Sequence, residues 1–153
     1  MLHPAPTTRI DPKLARAVLH ESVAATATKP AHVRLSFANT SYLLYVLPTA
    51  PVAAEPGDAV FGTIHARARR VDIVRSGGQF VEPVIGRPRR VQGRVIGHGT
   101  KGPGGEETLL IDAGVPMHFT LTDGRQSPKD FAIADMVSFD VLDGASFTPT
   151  DAS

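Results

Sequence analysis

The sequence predicts an all-β protein, built as a small closed barrel or as two packed barrel-like halves, with one short N-terminal helix. Three observations carry that expectation. Fourteen glycines and thirteen prolines punctuate the 153 residues; both break helices and suit turns. Apolar and polar side chains alternate with a period of two in several segments, as half-buried strands require. Turn signals recur at short intervals, as in sandwiches and barrels. A hydrophobic fraction of 42% supplies enough apolar surface for a core.

The elements follow in chain order. Residues 1–10 are rich in Pro and Thr and read as a loose start. Asp11-Pro12 has the chemistry of a helix start, and Leu14, Ala17, Val18 and Val23 fall at helical spacing, so a helix is expected over residues 12–24. Residues 1–30 are thus an N-terminal arm, 31–149 a β domain with candidate halves 31–86 and 87–149, and 150–153 a tail. Val33, Leu35 and Phe37 alternate with polar residues. Tyr42–Leu47 is a nearly continuous apolar run, the pattern of a strand buried on both faces. Ala59–His65 reads as the next strand.

Arg75-Ser76-Gly77-Gly78 lies between two strand-like segments and predicts a hairpin over residues 70–84, with Pro83 at a strand end. Val91–Ile96 alternates around Gly93, and residues 97–107 read as a glycine-rich loop. Thr108–Asp112 and Met117–Leu121 pair across Ala113-Gly114-Val115. Residues 125–132 hold one turn of helix, and Met136–Leu142 is the last expected strand. The core drawn from this pattern includes Leu35, Phe37, Leu43, Tyr45, Leu47, Val60, Ile64, Ile73, Val95, Phe119, Leu121, Val137 and Phe139.

Two short stretches, Gly57-Asp58-Ala59-Val60 and Ala134-Asp135-Met136-Val137, each place an aspartate before a strand. Their distances from the upstream Leu-Leu pairs differ, 15 residues against 26. Ordinary turn chemistry is the favoured account of both, with a duplication as the alternative. Residues 90–142 resemble small OB-like or related Greek-key barrels. The resemblance rests on Gly93 inside the first strand and on the Ile133-Ala134-Asp135-Met136-Val137 turn, where such barrels usually carry glycine in place of Ala134. It implies a fold and no particular activity.

Charge is unevenly distributed. Residues 1–63 carry five basic and four acidic side chains, residues 64–101 nine and two, and residues 102–153 two and nine. The chain is about neutral, then strongly basic, then strongly acidic. Arg67, Arg69, Arg70, Arg75, Arg87, Arg89, Arg90 and Arg94 are the candidate binding residues, because a planar guanidinium bonds two phosphate or carboxylate oxygens at once. Two uses follow. The basic and acidic blocks form complementary surfaces in a non-enzymatic binding or self-assembly module, a homo-oligomer or a partner of another protein. Alternatively, the arginines track a nucleic-acid backbone. Phe80 is the only Phe, Tyr or Trp between residues 64 and 101, which leaves base stacking poorly supplied there.

Other chemistry is thin. Cysteine is absent, which excludes disulfides, thiolate metal sites and a cysteine nucleophile. The six histidines lack the spacing of a preformed metal site, although His118 beside the Asp112 strand is a candidate polar anchor for a pocket. Residues 97–105 lack the order and the following helix of a phosphate-binding loop. No cofactor is expected. The N-terminus has no signal-peptide pattern and no apolar run spans a bilayer. A cytoplasmic protein without membrane contact is the expectation.

Overall fold

The structure, a computed structural model, describes residues 11–102 and 104–150. The expected loose start at 1–10 and residues 151–153 of the expected tail lie outside them. The strands are β1 (Ala15–Val23), β2 (His32–Ser36), β3 (Leu43–Pro48), β4 (Ala59–Ala68), β5 (Asp72–Ile73), β6 (Phe80–Glu82), β7 (Ile85–Gly86), β8 (Arg90–Lys101), β9 (Glu107–Asp112), β10 (Pro116–Leu121), β11 (Met136–Asp140) and β12 (Ser146–Thr150). Among the described residues a 3-10 turn covers Pro128–Asp130, capped by Ser127. Among the described residues no helix is long and apolar enough to cross a membrane.

The strands close into a ring in the order β1-β2-β3-β12-β4 and back to β1. All its pairs are antiparallel except β3 with β12. This is the cyclic order of an OB-like Greek-key barrel. A second ring runs β8-β9-β10-β4-β11, again with one parallel pair, β10 with β4. It closes through one bridge, Ala68 to Val141, flanked by Arg69 N–H donating to the Asp140 carbonyl at 2.9 Å and Leu142 N–H to the Arg67 carbonyl at 2.9 Å. The two rings share β4, and β12 returns from the end of the chain to close the first. They therefore interlock and do not follow the stretches 31–86 and 87–149.

The rings repeat one another in detail. Each contains a three-strand meander whose first strand carries a bulge after the same position, between Leu19 and Glu21 in β1 and between Val95 and Gly97 in β8. Each pins that position to the turn before its fourth strand. Gly57 N–H donates to the Leu19 carbonyl and Leu19 N–H to the Asp58 carbonyl, at 2.7 and 2.9 Å. Ala134 N–H donates to the Val95 carbonyl and Val95 N–H to the Asp135 carbonyl, at 2.8 and 2.9 Å. Asp58 Oδ2 accepts from Glu55 N–H and Asp135 Oδ2 from Ala132 N–H. The two aspartate turns thus share one hydrogen-bonding geometry, each set before the fourth strand of its ring. The unequal intervals arise mainly because the two Leu-Leu pairs sit on non-equivalent strands, β3 being the third of its meander and β9 the second, so the longer interval includes β10.

The expected N-terminal helix is a strand. Ala15, Ala17 and Leu19 are buried and alternate with exposed Arg16, Val18 and His20. A residue run that satisfies both periods takes the one its neighbours complete, and here β2 and β4 both offer open edges to β1. The segments around Gly77-Gly78 do not form a hairpin: β5 pairs with β11 and β6 with β8. The loop between them folds onto Gln92, whose Nε2 donates to the Gly78 carbonyl. β8 runs on to Lys101, so the expected loop is shorter than residues 97–107. β12 was not expected at all.

Leu44 and Val46 point into the core, whereas Leu43, Tyr45 and Leu47 lie on the outer side of β3 and are half-buried. Ile73, expected in the core, is 56% exposed because β5 is the last strand of the sheet. Leu121 only packs against the core. Close approach explains two strand glycines. A Cβ on Gly62 would strike the Thr148 carbonyl and the Phe147 ring, and one on Gly93 would strike the Asp112 carbonyl.

Candidate functional site

The pleat decides which side chains share a face, because residues directly opposite in a sheet point the same way. Arg34 pairs with Tyr45, Leu47 with Ser146, Ser146 with His65, and Asp140 with Arg90. Buried Ile64, Ala66 and Ala68 put His65 and Arg67 on the outer side of β4. Arg69 continues that alternation and bonds Asp140 through the backbone. Arg34, Tyr45, His65, Arg67, Arg69, Asp140 and Arg90 therefore occupy one outer side of a continuous sheet.

The structure gathers five of the eight candidate arginines around the seam that closes the second ring. Arg67 Nη2 donates to the Asp143 carbonyl at 3.0 Å. Arg87 forms an ion pair with the Asp143 carboxylate. Arg90 reaches Asp140 at 2.8 Å and the Ser138 hydroxyl at 2.9 Å. Arg69 and Arg89 hold the backbone of the same segment, Arg69 at Asp140 and Arg89 at Val141. The side chains of Arg69 and Arg89 are exposed and bond no described residue. Two aspartates from the acidic third and Glu82, directly opposite Arg90, thus lie among five arginines, and among the described residues positive charge is left over.

The other three lie apart from the seam. Arg70 sits 3.4 Å from Asp72, both well exposed. Arg94 donates to the Ala134 carbonyl at 3.1 Å. Arg75 is exposed beyond β5 and bonds no described residue.

The sequence did not reveal a polar chain centred on two histidines. His65 and His118 are 53 residues apart in sequence but directly opposed in the parallel β4–β10 pair. His65 Nε2–H donates to Thr120 Oγ1 at 2.7 Å, and the Thr120 hydroxyl donates to Glu106 Oε2 at 2.7 Å. That bond from Thr120 holds the Glu106 carboxyl below its ordinary value. Burial pushes the His65 imidazole down, against the pull of Glu106. His118 is 3% exposed; its Nε2–H donates to the Lys13 carbonyl at 2.9 Å, and its Nδ1 is buried without a partner among the described residues. Burial also pushes His118 down, opposed by the bond to Lys13. Only the strand order brings these groups together, so no local spacing could announce them.

Asp112 does not serve His118: it pairs across the sheet with Pro116, and its carboxylate caps Gly114 N–H at 3.0 Å. A half-open groove of about 460 Å³ runs past Leu14, Val18, Phe61, Ile96, Val115 and Pro116. His118 does not line it. Among the described residues no three His, Asp or Glu side chains are grouped to hold a metal ion. No family model, curated protein or solved structure matches the chain.

Proposed function

We propose that this chain is a non-enzymatic β-barrel binding module that takes an anionic partner on the arginine-bearing outer side of its sheet. The observation that carries the reading is the excess of arginine at the seam: Arg67, Arg69, Arg87, Arg89 and Arg90 outnumber the acidic side chains described beside them, Asp140, Asp143 and Glu82. The paired arginines are held in place, and Arg69 and Arg89 remain available. Guanidinium forks of this kind suit phosphate or carboxylate oxygens.

Polyphosphate binding tests it. Affinity is expected to fall linearly with salt on logarithmic axes, and the double change Arg69→Gln and Arg89→Gln is expected to weaken binding by about tenfold and flatten that slope. Unchanged affinity in the double variant would sink the reading.

Self-assembly is the second reading. The alternating row Arg69–Asp140–Arg90 and the exposed edge strand β5 favour it, since edges invite pairing. Light scattering decides: an oligomer that dissociates at high salt supports it, and a monomer at every concentration removes it.

A further inference from the structure

We infer that the anionic partner is a membrane surface bearing acidic headgroups, entered by the apolar tip Val84-Ile85; this rests on the reading that the arginine side receives a polyanion. Residues 83–88 form a loop closed at its base, where Arg89 N–H donates to the Glu82 carbonyl at 2.8 Å and Glu82 stands opposite Arg90. Leu43 N–H donates to the Val84 carbonyl at 2.7 Å, and Gly86, with φ of 131°, turns the chain back. Pro88 is buried, while Arg87 and Arg89 on either side of it are exposed. The backbone of the loop is thus held, and what it presents is Val84 at 47% and Ile85 at 58% exposure.

Consecutive residues of an extended chain point to opposite faces. Both are exposed here, so the tip stands clear of the sheet on two sides. A flat protein surface covers one side of such a tip, whereas a lipid layer closes around both. An isolated exposed valine needs no explanation; two adjacent apolar side chains rimmed by charge mark an interaction surface.

The tip and the arginines share a side. Ile85 lies directly opposite Leu43, which occupies the outer side of β3 with Tyr45 and Leu47. Arg87, two residues on, pairs with Asp143, which Arg67 also holds. From β3 through β12 to β4 is two inter-strand steps, roughly 10 Å at the usual strand spacing. A few lipid headgroups cover that distance. Guanidinium forks take headgroup phosphates and carboxylates, and the apolar pair enters the layer beneath them. Stable anchoring takes two such signals together. The expectation of no membrane contact rests on the lack of an apolar run that spans a bilayer, which a peripheral contact does not require. A second copy is a poorer occupant, because a two-fold contact over this tip sets one arginine seam against the other. β7 is two residues long, too short to template a strand from another chain.

The test uses vesicles of phosphatidylcholine, vesicles of phosphatidylcholine mixed with phosphatidylserine, and inorganic polyphosphate. The protein is expected to float with the mixed vesicles, less so as salt rises, and not with phosphatidylcholine alone. The double change Val84→Ser and Ile85→Ser is expected to weaken binding to mixed vesicles about 10- to 100-fold, the value of the hydrocarbon withdrawn from lipid, with polyphosphate affinity unchanged. Thermal unfolding checks that this variant keeps the fold. The chain has no tryptophan, so Ile85→Trp places the sole indole at the tip. Its emission is expected to shift to the blue on mixed vesicles and to stay unchanged with polyphosphate, and this reading decides even if the double variant fails to fold. An unshifted indole on bound vesicles, full vesicle affinity in the double variant, or binding of polyphosphate without binding of mixed vesicles overturns the inference while leaving the polyanion reading standing. Failure to bind vesicles and polyphosphate alike, as for a module that takes an acidic protein, removes both.

Discussion

Ala134 occupies the position that Gly57 fills in the other ring, with φ of 80° against 98°. An alanine in left-handed backbone is strained by about 1–2 kcal/mol. Glycine there would relieve the strain but would add about 0.5–1 kcal/mol of unfolded-state freedom. The first effect is larger, so Ala134→Gly is expected to stabilise the protein by about 0.5–1 kcal/mol in urea denaturation. Gly57→Ala is expected to cost a similar amount, since no atom lies near enough to its would-be Cβ to add a clash. The aspartates beside these residues work through the bonds they accept. Asp135→Ala leaves Ala132 N–H without its 2.9 Å acceptor and is expected to cost about 1 kcal/mol. At the seam, Asp143→Asn removes the carboxylate that Arg87 now pairs with. Stability is expected to change little, because the pair is exposed, while polyphosphate affinity rises.

Among the elements, β12 closes the first ring at lowest apolar content. It has one large core side chain, Phe147, fully buried, and Gly62 of β4 makes room for that ring. Phe147→Ala is expected to cost about 3–5 kcal/mol, and Gly62→Ala about 1–3 kcal/mol because the added methyl meets both backbone and ring. Thermal unfolding of the two variants checks both. The same strand shows where local pattern runs out. Ser146-Phe147-Thr148-Pro149-Thr150 holds a proline and a single large apolar residue, so nothing in it reads as a strand; it is one because β3 and β4 leave a gap that it fills. β1 failed for the opposite reason, since its alanines and valines satisfy both the helical and the strand period. β9 and β10 were legible because Gly114 gives the tight turn and both flanks are long enough to pair. The segments around Gly77-Gly78 are two and three residues long and found better partners elsewhere.

At the scale of the whole molecule, arginine composition announced a basic surface, while its position and its acidic partners depended on strand order. The histidine pair is the purest case, and it makes stability depend on pH. His65 and His118 titrate below the ordinary histidine value of about 6.5 in the folded chain. Unfolded, each returns to that value and binds a proton more readily than when folded. Below about pH 6.5 the unfolded state therefore gains protons first, and the folded state loses stability until the folded histidines charge as well. The groups facing them set the balance. Glu106 supports a charged His65, Arg67 opposes one, Asp11 supports a charged His118, and Lys13 offers a favourable carbonyl but an unfavourable charge. Burial outweighs them all, and the unpartnered Nδ1 of His118 has no described acceptor for the proton it would gain. Urea midpoints should thus fall as pH is lowered from 7 to 5. His118→Gln can still donate to the Lys13 carbonyl and has nothing to titrate, so its profile should be flatter over that interval. Glu106 acts in a separate window: its depressed carboxyl contributes stability above the ordinary carboxylate range and loses it only as pH falls below that range. A midpoint that is flat between pH 7 and 5 in the parent, or that falls equally in His118→Gln, would show that the buried histidine does not set the acid sensitivity of the fold.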